Sequence, residues 1–170
     1  MSKNNIKIIF IDIDGVILPL SWHNFNNDVS MKYYYFLKEL VDNNVKIIIS
    51  STRRYDLIEL FDWWYNKQWL PIYAGNIDLN KKMNNLNAKR QWILDMINSI
   101  KEYNINSKNM EIVIIDDQDL CDKTNKYWKK LDSILKSNKW LFIQPNWIEW
   151  LNQNEMQQIL NYFNINSNEI

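Results

Sequence analysis

Hydrophobic runs of strand length alternate with longer segments of helical spacing along most of this chain. The runs are continuous and rich in Ile and Val, which is typical of parallel strands covered on both faces. We place them at Ile8–Ile11, Val45–Ile49, Leu70–Tyr73, Glu111–Ile115 and Trp140–Ile143. Strands separated by helices predict an α/β fold, with a mainly parallel sheet of about five strands and helices on both faces.

The helices between these strands are predicted from apolar residues that recur every three or four positions. They cover Ser30–Asn43, about Tyr55–Gln68, Asn87 (as N-cap) to Ile100, part of 120–137, and Asn152–Phe163. Asn152 and Glu155 have the spacing of a capping box. Without repeats or linkers, residues 1–170 are expected to form a single domain, with a core at about 6–163 and a frayed tail at 164–170.

The first strand ends in the sequence Asp12-Ile13-Asp14-Gly15. Two carboxylates this close repel each other and need a cation or protons. Ligands of an open parallel sheet bind outside the carboxyl ends of its strands, where Asp12 and Asp14 are expected. Asp and Gly are also common in solvated turns, which is the alternative explanation for this stretch.

Two further strands also end in polar side chains. The second strand leads into Ser50-Ser51-Thr52-Arg53-Arg54, whose hydroxyls and guanidiniums suit a phosphate, although Ser and Thr also serve as helix N-caps. The strand at Glu111–Ile115 ends in Asp116-Asp117. Carboxylates from two strands, without Cys or His, favour Mg²⁺ as the shared cation. Mg²⁺ beside hydroxyls and cations predicts phosphoryl-transfer chemistry.

Cations near the start of the helix at Asn87 form another candidate feature. Lys89 and Arg90 lie in its first turn, where the helix dipole favours acidic residues. This misfit indicates that one of them binds an anion. His23, the single histidine, lies in an Asn-rich loop, where a surface position is a better interpretation than catalysis.

Composition narrows the function classes only slightly. Twenty basic and twenty acidic residues cancel, so the chain as a whole has no electrostatic attraction to nucleic acid or membranes. The single cysteine, Cys121, has no disulfide partner within the chain, and there is no Cys/His zinc motif. The start of the chain resembles neither a signal peptide nor a membrane span, so we expect a cytoplasmic protein.

The motifs together resemble those of the haloacid dehalogenase-like hydrolase superfamily. Ile8–Leu18 is similar to its first motif, Ser50 to the second, and Asp116-Asp117 to the double-Asp form of the fourth. Within the superfamily, the chain resembles the phosphatase domains of RNA-repair proteins and polynucleotide phosphatases. It departs from them at Arg53, where a Trp is usual, and at Trp150-Leu151-Asn152, where a Gly-Leu-Thr-like turn is usual.

The resemblance implies a three-layer Rossmann-like fold and a role for each motif residue. Asp12 is the implied nucleophile and Asp14 the general acid and base. Asp12, Asp14, Asp116 and Asp117 are the implied Mg²⁺ ligands, Asp14 through its carbonyl. Ser50 and Lys89 would neutralise the transferring phosphoryl group, with Arg90, Lys81 and Lys82 as alternatives to Lys89. The implied phosphate and substrate contacts are Gly15, Ser50, Ser51, Arg54, Lys89 and Arg90.

The spacers between motifs leave no room for a substantial cap domain, which favours large substrates. We therefore expect a phosphorylated polynucleotide 3′ or 5′ end, single-stranded or frayed. Trp22, Trp63 and Trp69 could stack on bases, although core packing is commoner for Trp at these spacings. A nucleotidase or other small-molecule phosphatase is the alternative enzyme, and a phospho-accepting receiver domain is the alternative from another class.

Overall fold

The described strands of this protein form one parallel sheet. The computed structural model describes residues 5–12, 16, 27–50, 72–74, 85–103, 109–146 and 150–166, with backbone only at 27–31, 72–74 and 85. Its strands are β1 (Ile6–Ile11), β2 (Val45–Ile49), β3 (Ile72–Ala74), β4 (Met110–Ile115) and β5 (Lys139–Ile143). Their order across the sheet is β3-β2-β1-β4-β5.

The strand order reverses direction at β1, which pairs in parallel with β2 on one side and β4 on the other. In register, Ile11 lies between Ile49 of β2 and Ile115 of β4. Such a reversal is the topological switch point at which open α/β sheets leave a crevice for ligands. The ends of β1, β2 and β4 therefore meet at the part of the sheet best suited to a site.

The described helices cover both faces of the sheet. They are α1 (Asn27–Asp42), α2 (Asn85–Tyr103), α3 (Lys126–Leu135) and α4 (Gln153–Tyr162). Buried residues of α1 and α4 share one hydrophobic core with alternate residues of the central strands, whereas α2 and α3 share the other. The predicted Rossmann-like α/β arrangement, a parallel sheet with helices on both faces, is therefore confirmed.

Burial on both faces of β1 explains why its sequence is continuously apolar. Ile9 and Ile11 belong to the core beneath α1 and α4, while Ile8 and Phe10 belong to the core beneath α2 and α3. All four side chains are completely buried. A strand with helices on both faces has no solvent side, so it needs apolar residues at every position.

The observed element bounds correct several predictions. Helix α2 begins at Asn85, so Asn87 is not its N-cap but lies inside the first turn. Ile165 is buried and its N–H donates to the Leu160 carbonyl at 2.9 Å, so the expected frayed tail does not begin at residue 164. The capping box of Asn152 and Glu155 is present as predicted. The expected helix at 55–68 lies outside the described residues.

None of the described helices has the length and apolar character needed to cross a membrane.

Candidate functional site

Three polar residues lie directly beyond the ends of neighbouring strands. Backbone hydrogen bonds continue the sheet one residue further. The Asp12 N–H donates to the Ile115 carbonyl and the Ser50 N–H to the Ile11 carbonyl, both at 2.9 Å. The Asp116 N–H donates to the Ile143 carbonyl at 3.2 Å. Asp12, Ser50 and Asp116 are therefore held by the rigid sheet, which gives a site more precise positions than a free loop would.

Three carboxylates come together at this edge of the sheet. Asp12, Asp116 and Asp117 each offer an oxygen, and these oxygens all lie within 4.8 Å of one another. Asp12 and Asp116 are buried, while Asp117 is partly exposed. This all-oxygen set suits Mg²⁺, which commonly takes a few carboxylates and completes its shell with water or phosphate oxygens. The donors therefore fit the ion expected from the sequence.

The loop after β4 is held by hydrogen bonds around this cluster. The Gln118 N–H donates to Asp116 Oδ1 at 3.0 Å, and Gln144 Nε2 donates to the Asp117 carbonyl at 3.2 Å. These contacts use one oxygen of Asp116 and the backbone of Asp117. They orient the acidic pair before any ion binds, which reduces the ordering cost of metal binding.

Lys89 lies between two of the carboxylates. Its Nζ donates to Asp12 Oδ2 at 2.7 Å and to Asp116 Oδ2 at 2.6 Å, with the lysine side chain only 2% exposed. The anionic partners of Lys89 within the protein are therefore these two carboxylates. If all four groups are ionised, three negative charges and one positive charge leave a net charge of −2, enough to attract a divalent cation.

Burial and the neighbouring charges shift the proton equilibria here. The pKa of Asp116 is raised to about 7, chiefly by burial and also by the Asp12 charge, with Lys89 opposing both effects. For Lys89, burial lowers the pKa, but attraction to Asp12 and Asp116 outweighs it, so the pKa is raised. Lys89 therefore stays an ammonium at neutral pH, and Asp116 takes up a proton near neutral pH when no metal is bound.

Ser50 is completely buried, and among the described residues its Oγ has no hydrogen-bond partner. A buried hydroxyl without a partner costs about 1–3 kcal/mol. It lies beyond the end of β2, beside the strand that carries Asp12. An oxyanion bound at this edge would supply the missing acceptor, which fits the expected phosphate contact of Ser50.

Arg90 has a different environment from the one expected for a phosphate ligand. Its Nε donates to the Leu120 carbonyl at 2.9 Å, and its Nη2 donates to the Asp119 carbonyl at 3.0 Å. Its Nη1 donates to Asn87 Oδ1 at 2.9 Å. The guanidinium is buried, so Arg90 braces the loop that carries the acidic pair and does not join the carboxylate cluster.

Sequence reasoning missed two asparagines that complete this brace. Asn125 Nδ2 donates to Asn87 Oδ1 at 2.9 Å, which ties the start of α2 to the start of α3. Asn125 Oδ1 accepts from the Tyr127 and Trp128 N–H groups and is the N-cap of α3. The position of an Asn just before an amphipathic run was a usable signal for the cap. The Asn87 contact had no such signal.

Several predicted site residues lie outside the described part of the chain: Asp14, Gly15, Ser51, Arg54, Lys81, Lys82, His23, Trp22, Trp63 and Trp69.

No protein-family model matches the sequence, and no curated protein matches it. Among solved structures, an uncharacterized protein from Corynebacterium glutamicum ATCC 13032 Kitasato is similar, with a TM-score of 0.53 and 13% sequence identity. The alignment covers 96% of this chain and 98% of that chain. At this identity the likeness shows a shared fold and nothing about activity.

Proposed function

We propose that this protein is a Mg²⁺-dependent phosphatase of the haloacid dehalogenase-like type that acts on polynucleotide 3′ or 5′ phosphate ends. The observation that carries the proposal is the position of Asp12. Its carboxylate lies beyond the central strand, hydrogen-bonded to Lys89 and close to Asp116 and Asp117. A nucleophile, a fixed cation and a metal-binding pair are the components that phosphoryl transfer requires.

Asp12, Asp116 and Asp117 would hold Mg²⁺, which when bound neutralises charge on the phosphate oxygens. Lys89 adds a second positive charge at a fixed place. Its hydrogen bonds hold the Asp12 and Asp116 carboxylates in position, and an ionised Asp12 is the form that would attack phosphorus. Ser50 Oγ, which has no partner among the described residues, would donate its proton to a phosphate oxygen.

The reaction divides into two displacements at phosphorus. In the first, an Asp12 carboxylate oxygen bonds to phosphorus as the ester P–O bond breaks, and the leaving alkoxide takes a proton. By the resemblance described above, Asp14 donates that proton. In the second, Asp14 takes a proton from water, the water oxygen bonds to phosphorus, and the Asp12–phosphorus bond breaks. Inorganic phosphate leaves and both carboxyl groups return to their starting states.

The preference for large substrates is supported by the short connection between β1 and β2. Helix α1 accounts for 16 residues of that connection, which leaves little chain for a folded cap over the site. An open site admits a phosphate at the end of a polymer as readily as one on a small molecule. The proposal of a polynucleotide substrate therefore rests on the accessibility of the site and on the family resemblance. It is tested separately from the mechanism of hydrolysis.

The proposal is tested by phosphate release in the presence and absence of Mg²⁺. The substrates are 3′- and 5′-phosphorylated oligonucleotides, nucleoside monophosphates and phosphopeptides. We expect Mg²⁺-dependent release from an oligonucleotide end, and a loss of at least about a thousandfold in Asp12→Asn. The matched control is Asp119→Asn in the loop after β4, because Asp119 lies outside the cluster and an amide oxygen can still accept from the Cys121 N–H.

Two alternatives give distinct outcomes. Turnover of nucleotides alone would identify a nucleotidase of the same mechanism. A phospho-accepting receiver domain is also compatible with an Asp held by a Lys beside two other carboxylates. It would retain an acyl phosphate for a long time after treatment with acetyl phosphate, whereas a phosphatase would hydrolyse it rapidly.

A further inference from the structure

A groove between α3 and β5 is lined by side chains that the proposed chemistry does not use. Its volume is about 480 Å³, within the range of ligand-binding pockets. Trp128 and Trp140 form its aromatic wall, and Lys123, Lys129 and Lys136 line it as well. We call it the α3–β5 groove. It combines aromatic rings with cations, a set that the carboxylate site does not use.

The aromatic wall is a rigid unit. The Trp128 and Trp140 rings pack edge to face, with centroids 5.9 Å apart and planes at 60°. Trp128 is buried on α3, while Trp140 at the start of β5 is partly exposed. Helix packing thus fixes one ring, and the other is left accessible to a planar group.

Positive charge is concentrated around this wall. Residues 121–140 contain six lysines and two aspartates, a net charge of +4 in a chain whose total is zero. Lys123, Lys129 and Lys136 are exposed, and the one acidic residue of the lining, Asp132, forms an ion pair with Lys136 at 2.6 Å. Lys123 and Lys129 therefore remain the main charges available to an anion.

The groove includes a residue of the loop that follows the acidic pair. Cys121 lines it and lies four residues beyond Asp117. The Cys121 N–H donates to Asp119 Oδ1 at 2.9 Å, and Arg90 holds the preceding carbonyl of Leu120. The groove is therefore fixed relative to the loop that carries the acidic pair.

We propose that the α3–β5 groove binds single-stranded polynucleotide, with a base against Trp140 and backbone phosphates on Lys123 and Lys129. Sequence-independent single-strand sites combine these two contacts, stacking platforms and basic side chains. A purely apolar ligand would not need the lysines, and an acidic peptide would not need the tryptophans. The inference rests on the proposed function, because it supplies the binding surface for the polymer whose phosphate end is hydrolysed.

Charge reversal tests the lysines with a closely matched control. We compare Lys123→Glu/Lys129→Glu with Lys126→Glu/Lys130→Glu, because all four lysines are exposed and the last two lie outside the lining. The probe is a fluorescein-labelled oligothymidylate without terminal phosphates, measured by anisotropy. We expect the first pair to weaken binding about tenfold or more and the second less than about threefold, since screening limits charge effects to about 8 Å at physiological salt. Equal effects of the two pairs, or none, would overturn the proposal.

Cys121 provides a second readout that does not depend on any substitution. It is the single thiol of the chain and lines the groove, so bound oligothymidylate should slow its alkylation about fivefold or more. Polyglutamate at the same charge concentration should not. Unchanged alkylation with saturating oligothymidylate, or equal protection by polyglutamate, would contradict polynucleotide binding in the groove.

Stacking is tested with Trp140→Leu, which keeps an apolar side chain in the edge strand. We expect at least about fivefold weaker oligothymidylate binding with an unchanged salt dependence, because stacking on a Trp carries no charge. Wild-type affinity would overturn the role of Trp140. The binding probe carries no scissile phosphate, so these outcomes are independent of whether the protein hydrolyses phosphomonoesters.

Discussion

Lys89 and Asp12 are 77 residues apart in the chain, yet Lys89 Nζ lies 2.7 Å from Asp12 Oδ2 in the protein interior. Asp12 follows β1, and Lys89 lies on α2. The two meet because α2 packs against the face of the sheet that contains Ile8 and Phe10. Lys89 also reaches Asp116, so a single ammonium joins the ends of β1 and β4. This three-residue bridge is the centre of the candidate active site.

Replacing Lys89 with Met should change metal binding and stability in opposite directions. The metal-free variant keeps buried carboxylates without their cation, so we expect its free energy of unfolding to fall by about 3–5 kcal/mol. Mg²⁺ should then raise its melting temperature more than that of the wild type, while the proposed phosphatase activity is lost. Thermal unfolding with and without Mg²⁺ measures this. Lys101→Met, on the same helix but away from the cluster, is the control, and an equal Mg²⁺ effect in both variants would contradict the bridge.

The raised pKa of Asp116 predicts how the stability of the metal-free protein depends on pH. The folded protein holds a proton on Asp116 up to a pKa of about 7, whereas an unfolded chain releases it near pH 4. The contribution of Asp116 to stability is therefore fully present below about pH 4 and is lost as pH rises to about 7, by at most about 1.4 kcal/mol per pH unit.

The contribution of Asp116 is isolated by the difference between wild type and Asp116→Asn, each unfolded with urea in EDTA. We expect the wild type to lose stability relative to the variant as pH rises between about 4 and 7. Saturating Mg²⁺ should oppose this loss in the wild type. A difference that does not change with pH would show that burial does not raise the Asp116 pKa.

Arg90 should act on the candidate metal site through the loop that it holds. Arg90→Gln removes buried hydrogen bonds to the carbonyls of Asp119 and Leu120, so we expect about 2–4 kcal/mol lower stability and weaker Mg²⁺ affinity. Titration calorimetry measures the affinity. If Arg90 were a phosphate ligand, as the sequence suggested, KM would rise while stability and Mg²⁺ affinity stayed at wild-type values.

Cys121 should be a slow-reacting thiol in the folded protein. Burial, with the charge of Asp119 as a second cause, raises its pKa to about 11, which leaves little thiolate at pH 8. We expect reaction with a thiol reagent to be at least about tenfold slower than in urea-unfolded protein. Asp119→Asn should speed it slightly. Equal rates in folded and unfolded protein would show that the thiol is not shielded.

The strands and the convergence of their ends were predictable from sequence because both follow from one rule. Continuous Ile and Val runs have no solvent face, so they indicate a parallel sheet, and parallel strands bring their carboxyl ends to one edge. Asp12, Ser50 and Asp116 could thus be grouped before any coordinates. Lys89 was suggested by a charge that conflicts with the helix dipole, and its partners turned out to be carboxylates of the same cluster.

The brace around Arg90 could not be predicted in the same way. Its acceptors at residues 119 and 120 are backbone carbonyls, which every residue possesses, so the sequence has no signature for them. The start of α2 was misplaced for a related reason. Several asparagines precede it, and any of them is an acceptable cap by residue type, so only the fold selects among them.

The most direct test of the central hypothesis is identification of the phosphorylated residue during turnover. Wild-type protein is mixed with Mg²⁺ and a phosphorylated oligonucleotide, quenched in acid, reduced with borohydride and mapped by mass spectrometry. We predict an acyl phosphate on Asp12, seen as its reduction product at that position, and its absence in Asp12→Asn. Phosphate release with no modification at Asp12, or with modification at Asp116 or Asp117 instead, would contradict the proposed mechanism.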